Sequence, residues 1–211
     1  MLLLDFSQLI FRALNDRKHV LVLFVDYSTA FDLLNHRQIV QSMENIGITG
    51  KILKWFTNYL KRTYNVKLWD KLSPSREATG VPQGSVLGPL LYLIYTNQIN
   101  IIIPSKNPYT HVFSYADDMA LVVVHDSIEE AEIIMQNNFN FLLSWSRGLV
   151  STKKTKILYV RSSQYPTRPI NLLTHSSPCL HTNLSLNLPR TCQERIENVT
   201  EFRYLEVWIV D

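Results

Sequence analysis

Apolar and polar positions along this chain follow two rhythms, and the change-overs mark its elements. Residues 1–18 read as part of a helix that begins without a cap. Residues 20–25 are an unbroken apolar run rich in β-branched side chains, as in a strand covered on both faces, and Asp26 ends it. From His36, the apolar residues Ile39, Val40, Met43 and Ile46 recur at helical spacing until Gly47. Ile52, Leu53, Phe56, Tyr59 and Leu60 predict a second amphipathic helix. Tyr64, Val66 and Leu68 alternate as a strand does, and residues 90–99 predict a buried helix. Residues 111–115 and 119–124 read as two strands around Ala116-Asp117-Asp118, a hairpin with aspartates at its tip. Ser127-Ile128-Glu129-Glu130 predicts a capping box. The helix behind it carries Ile128, Ala131, Met135, Leu142 and Trp145 on one face and stops at Gly148. Residues 155–160 predict a last core strand. Residues 161–193 lose all periodicity among prolines 166, 169, 178 and 189, which predicts a linker or poorly ordered loop. Strand-like composition returns over 202–209. The order of strand, helices, hairpin, helix and strand predicts an α+β fold on a split βαβ plan, an antiparallel sheet with helices packed on one face.

Composition narrows this picture only a little. With 46% hydrophobic residues, 211 residues can bury one core, and 18% charged residues argue against wholesale disorder. The net charge of +3 permits nucleic-acid binding without arguing for it. Basic residues gather at Lys61-Arg62 with Lys67 and Lys71, and at Lys153-Lys154 with Lys156; each cluster reads as solvated surface or as phosphate contact. Cys179 and Cys192 fit neither a zinc pattern nor a disulfide scaffold. No apolar run approaches the roughly 20 residues that cross a bilayer, so no membrane partner is expected.

Candidate chemistry lies in two places. Three of the six glycines fall within Thr79-Gly80-Val81-Pro82-Gln83-Gly84-Ser85-Val86-Leu87-Gly88-Pro89, where a backbone must turn tightly or approach something closely. The aspartates are the other place. The split βαβ plan sets the end of one strand beside the hairpin tip, so Asp26, Asp117 and Asp118 are expected to point into one cleft. Crowded carboxylates repel, and one keeps its proton unless a cation intervenes. Magnesium takes hard oxygen ligands, and two ions about 3.5–4 Å apart stabilise the attacking and leaving oxygens of an in-line phosphoryl displacement. On this reading Asp26 and Asp117 bridge two Mg2+ (or Mn2+) ions, with Asp118 nearby in a weaker role. Plainer readings stay open: Asp26 as a helix N-cap, Asp117-Asp118 as turn residues, Asp32 as a helix-start residue.

Three blocks together decide between these readings. Phe24-Val25-Asp26-Tyr27-Ser28-Thr29-Ala30-Phe31-Asp32, then residues 80–89, then Tyr115-Ala116-Asp117-Asp118 resemble consecutive signature blocks of reverse transcriptases in order and spacing. The wording is most similar to non-LTR (LINE-type, jockey-like) retrotransposon enzymes. The resemblance covers nearly the whole chain and thins over 161–198. It implies a right-hand polymerase palm with partial fingers over 1–160, a loop of low order over 161–198, and a primer-grip-like strand over 199–211 at the start of a thumb. The implied activity is RNA-directed DNA polymerisation, nucleotide transfer from a dNTP to a primer 3′-hydroxyl, with an RNA template and a DNA primer as partners, in the nucleus or cytoplasm. Carried over, Asp26, Asp117 and Asp118 form the metal-binding catalytic triad. Phe31 stacks under the incoming sugar and excludes a 2′-hydroxyl. Gln83 and Gly84 face nucleotide and template, Ala116 lies beside the primer end, Tyr115 is counted among the substrate-binding residues, and Lys154 protonates the leaving pyrophosphate.

The match also departs from the family. The family's fingers would precede Met1, its thumb would follow Asp211, and an endonuclease region belongs elsewhere in a longer polyprotein. Glu206 stands where the family usually has glycine, and residues 148–151 lack the family's asparagine. Positioning supplies much of the rate in phosphoryl transfer. The isolated chain is therefore expected to be weak or inactive. The alternative is a non-catalytic retrotransposon remnant with residual nucleic-acid or protein binding.

Overall fold

Helix α1 (Leu2–Asn15) turns into β1 (His19–Val25), every residue of which is buried. There follow α2 (His36–Asn45), α3 (Gly50–Leu60), the two-residue strands β2 (Thr63–Tyr64), β3 (Lys67–Leu68), β4 (Lys71–Leu72) and β5 (Arg76–Glu77), and α4 (Gly88–Lys106). The chain continues through β6 (Thr110–Tyr115), β7 (Asp118–His125), α5 (Ile128–Ser146), β8 (Lys156–Val160), β9 (Leu173–His175), β10 (Gln193–Arg195), β11 (Glu197–Val199), β12 (Glu201–Tyr204) and β13 (Val207–Val210). This computed structural model describes residues 1–27, 31–32, 34–82, 84–146, 149–175 and 193–210. Gln83, Gly148, Cys179 and Cys192 lie outside the described residues. The chain divides into two compact units, Met1–Ser28 with Asn100–Asp211, and Thr29–Ile99.

The first unit is built on a five-stranded sheet in the order β11-β8-β1-β7-β6. Its pairs are antiparallel except β11 with β8, which run parallel, so the sheet is mixed where the sequence predicts a purely antiparallel one. Side chains of a strand alternate between faces. Val20, Val22 and Phe24 of β1 join Ala120 and Val122 of β7 and Phe6, Ile10 and Ala13 of α1 in one cluster. The residues of opposite parity, Leu21 and Leu23, are equally buried, and α5 packs against β1 and β7. Helices therefore cover β1 on both faces, not on one, because a strand apolar at every position needs two partners. Aromatic rings fix β12 on the α1 face: Phe24 stacks on Phe202 at 4.1 Å, and Phe6 meets Tyr204 at 5.4 Å and Phe113 edge-on at 5.2 Å.

Two local expectations change. The capping box of α5 is half-formed. Glu130 N donates to Ser127 Oγ (3.3 Å), but Ser127 N donates to His125 Nδ1 (3.0 Å), so histidine takes the place of the returning glutamate. Residues 161–175, predicted as linker, contain β9 and the buried Ile170 and Leu172. Side-chain amides hold this stretch. Asn198 accepts from Ile170 N (2.7 Å) and donates to Ile170 O (2.9 Å), while Gln136 accepts from Leu173 N and donates to Leu173 O, both at 2.9 Å. Such pinning needs no sequence periodicity, which is why periodicity missed it.

In the second unit, α2 is capped by Asn35, whose side chain accepts from Gln38 N, rather than started by Asp32. α2 packs on α3. Leu91, Tyr92, Tyr95 and Ile99 of α4 are buried, while Leu90 and Leu93 are exposed, so α4 is buried along one side only. The single strand predicted over 64–68 is instead half of a paired arm, β2 with β5 and β3 with β4.

Candidate active site

The register of β1 on β7 places the acidic groups. The last antiparallel pair is Val25 with Met119, so the next position on each strand sets Asp26 against Asp118. Both lie two residues beyond Phe24 and Ala120 and project to the same face. β7 and β6 close at the pair Tyr115–Asp118, which leaves Ala116-Asp117 as a two-residue turn. Such turns require a positive φ, and Ala116 adopts one (52°) without being glycine. Asp118 is thus a strand residue and Asp117 alone is at the tip.

Asp26, Asp118, Met119, Lys154, Phe202 and Tyr204 line a cavity of about 60 Å³. Asp26 Oδ1 is shielded from water and has no hydrogen-bond partner; Lys154 Nζ stands 3.6 Å away, close enough for charge but too far for a hydrogen bond. Partial burial, and then the charges of Asp117 and Asp26, push the Asp118 carboxyl above the usual carboxylate range. Burial, with Asp118 behind it, holds the Tyr204 hydroxyl well above the usual phenol range, and that hydroxyl donates to Phe113 O (3.2 Å). Tyr204 has a signal in the sequence, an aromatic residue two positions after Phe202 and so on the same face of the strand.

Asp117 lies on a neighbouring cleft of about 700 Å³, lined also by Tyr115, Ala116, Asp118, Arg203, Leu205 and Glu206. Asp118 faces both spaces. Among the described residues no three carboxylate, histidine or cysteine side chains gather as a ready metal cage. Asp26 and Asp118 do converge, and their chemistry fits a hard divalent cation: one unsatisfied buried oxygen, and one carboxyl whose charge is resisted by two others. Phe31 and Gly84 belong to the second unit. There the Phe31 ring packs 5.1 Å from that of Tyr92, and Gly84 has φ +78° with open space around it.

The comparisons with known proteins fit this geometry. Residues 3–209 match the sequence profile described as reverse transcriptase (RNA-dependent DNA polymerase). The chain belongs to the reverse transcriptase family. It is 24% identical over 204 residues to the RNA-directed DNA polymerase from mobile element jockey of Drosophila melanogaster, covering 90% of this chain and 22% of that protein. It is 29% identical over 147 residues to a probable RNA-directed DNA polymerase from transposon BS of the same fly, covering 65% of this chain and 16% of that protein. This reverse transcriptase domain therefore spans about a fifth of such relatives. Among solved structures, apo telomerase from Candida tropicalis matches with TM-score 0.55 at 14% identity, over 76% of this chain and 36% of that one. A second Candida tropicalis telomerase, in complex with a TWJ fragment of telomeric RNA, gives TM-score 0.56 at 13% identity, over 75% and 29%. These likenesses show the fold.

One departure of the reverse transcriptase domain can be weighed directly. The β12–β13 turn holds Leu205 (φ 48°) and Glu206 (φ 67°), both left-handed without glycine, with Glu206 paired to Arg203 in the open. A left-handed L-residue costs roughly 1–2 kcal/mol, partly offset by the entropy glycine loses on folding. Exposed ion pairs add little. Glu206→Gly is expected to stabilise the chain by about 0.5–1 kcal/mol, read as a higher urea midpoint. A lower midpoint would mean that contacts of Glu206 outweigh its backbone.

Proposed function

We propose that this domain catalyses RNA-directed DNA polymerisation, adding nucleotides from dNTPs to the 3′-hydroxyl of a DNA primer on an RNA template. The observation that carries the reading is the meeting of Asp26 and Asp118 across the β1–β7 register, in one cavity with Lys154. In this reading Asp26, Asp118 and Asp117 hold two divalent ions, Mg2+ or Mn2+, which would supply charge stabilisation for the transferring phosphoryl group. The Lys154 ammonium, drawn by charge to within 3.6 Å of Asp26 Oδ1, stands beside the cavity as the group we assign to protonate the leaving oxygen. Phe24, Phe202 and Tyr204 wall the inner side against water. Tyr115 and Ala116 border the larger cleft, on the side we assign to the primer end. Phe31, Gln83 and Gly84 are assigned to the nucleotide and template as the family pattern implies. Residues 1–160 serve as palm with partial fingers and 199–211 as primer grip, within a longer polyprotein that supplies the remaining fingers, thumb and endonuclease. No helix among the described residues is long and apolar enough to cross a membrane, and a nuclear site of action goes with copying at a chromosomal target.

Single-nucleotide incorporation on a primed RNA template with Mg2+ tests this, comparing the chain with Asp117→Asn. A weak signal that disappears in the variant is expected; equal signals from both would remove the assignment. A second reading, a non-catalytic remnant, is favoured by Glu206 at its strained turn position. Binding of primer-template with no incorporation under any condition would support it.

A further inference from the structure

The charge of this chain is unevenly placed. Residues 51–77 carry seven lysines and arginines against Asp70 and Glu77, a net of +5, while the whole chain is +3. The rest of the molecule is therefore net −2. The same segment displays aromatic side chains to solvent. On α3, Trp55 stacks on Tyr59 (5.6 Å, 15°), and the Arg62 guanidinium lies 4.2 Å from the Tyr59 ring centre. Arg62 Nε also donates to Tyr59 O (2.9 Å), so the layer is fixed.

Beyond α3, residues 63–72 are exposed without exception, yet they are not a loose loop. The β2–β5 and β3–β4 pairs form an arm. Between the two pairs, Ser73 N donates to Val66 O and Val66 N to Ser73 Oγ (both 2.8 Å), and Asn65 Nδ2 donates to Ser73 O (2.9 Å). At the tip, Trp69 is 88% exposed and holds φ 56°. A bulky residue at positive φ is an outlier, and an exposed indole gains nothing from packing there. Lys67 and Lys71 flank it.

We propose that α3 and the β2–β5 arm form a binding surface for single-stranded RNA, with Trp69 and Trp55 as stacking platforms and the surrounding cations on phosphates. Unpaired bases stack on aromatic faces, and a basic surface tracks the backbone. A second copy of this chain is a poor occupant, because it would set +5 against +5. A purely apolar partner leaves the cations unused. The choice of RNA rests on the polymerase reading above; the surface itself uses none of its acidic residues.

The test is fluorescence anisotropy of a labelled single-stranded RNA of about 15 nucleotides, at several salt concentrations, with the full chain. Trp69→Ala is expected to weaken binding about tenfold and to lose the part of the RNA-induced quenching that Trp69 contributes, leaving that of Trp55. Lys67→Ala with Lys71→Ala should lower the slope of log affinity against log salt by about 1.4. Circular dichroism and urea midpoints verify that the variants fold; all three altered side chains are solvent-exposed. The proposal is overturned if the parent does not bind, if duplex RNA binds as tightly, or if both sets of variants keep parental affinity and slope. It is also overturned if sedimentation reveals Trp69-dependent association with protein while RNA affinity is unchanged. Binding that follows these variants without any incorporation would sink the polymerase reading alone.

Discussion

Asp118→Asn is expected to cut nucleotide incorporation on the order of 10²-fold while making the metal-free chain more stable near neutral pH. Both effects come from one arrangement. The Asp118 carboxyl is held above its ordinary value of 3.8 by partial burial and by the charges of Asp117 and Asp26. The folded chain therefore binds a proton more readily at this site than the unfolded chain does. Below the ordinary value both states are protonated and no penalty exists. As pH rises through the raised value, the folded state must ionise against its neighbours and stability falls. Asparagine removes the charge and hence the penalty. The gain in Tm should thus be clear at about pH 7 and vanish towards about pH 4. Asp118 is largely exposed, so water screens the repulsion and the gain is small. Millimolar Mg2+ should raise the parent's Tm more than the variant's, since a ligand stabilises only the state that binds it. A variant less stable than the parent at neutral pH would show that Asp118 is held by favourable contacts, not resisted by its neighbours.

Gly80→Ala should be the most damaging single change in the second unit. Gly80 has φ +66°, and a Cβ there would fall 2.1 Å from Phe31 O and 2.5 Å from the Asp32 carbonyl carbon. Those are backbone atoms, unable to swing aside. They are also tied down: Val81 N donates to Phe31 O (2.8 Å), and the His36 ring nitrogen Nε2 meets Gly80 O at 2.6 Å. The left-handed conformation alone costs roughly 1–2 kcal/mol, and displacing the Phe31–Asp32 backbone brings the expected loss above about 3 kcal/mol. Gly84→Ala is the control. Gly84 has a similar φ (+78°) with nothing within 4 Å, so only the conformational cost of about 1 kcal/mol applies. Urea midpoints and protease sensitivity of the 29–99 region measure both. Equal losses would show that the close approach at Gly80 is relieved by local movement.

The parts of this fold that sequence pattern reveals are those whose side chains repeat. The apolar run of β1 and the alternation around Ala116-Asp117 name the central strands and their hairpin, and with them the level at which Asp26 and Asp118 meet. The glycine block announces a close approach, although only the structure identifies Gly80, not Gly84, as the crowded position. What stays hidden is held by single side chains on backbone. Asn198 on Ile170 and Gln136 on Leu173 order a proline-rich stretch that reads as linker. His125 substitutes for a glutamate in a cap that the local wording assigns to Glu130. Lys154 near Asp26 had a signal only through the family pattern, since a lysine in a basic cluster is otherwise indistinguishable from solvated surface.

The β1–β7 pairing has a consequence for how this chain can vary. Asp26 and Asp118 share a face only because an even number of steps separates each from Phe24 and Ala120. Adding or deleting a single residue between these points would rotate one carboxylate to the α5 side while leaving the strand as apolar as before. Copies of such a domain can drift in composition along β1 and β7 and keep the site. A one-codon length change there would end it at a stroke, in a molecule that still folds.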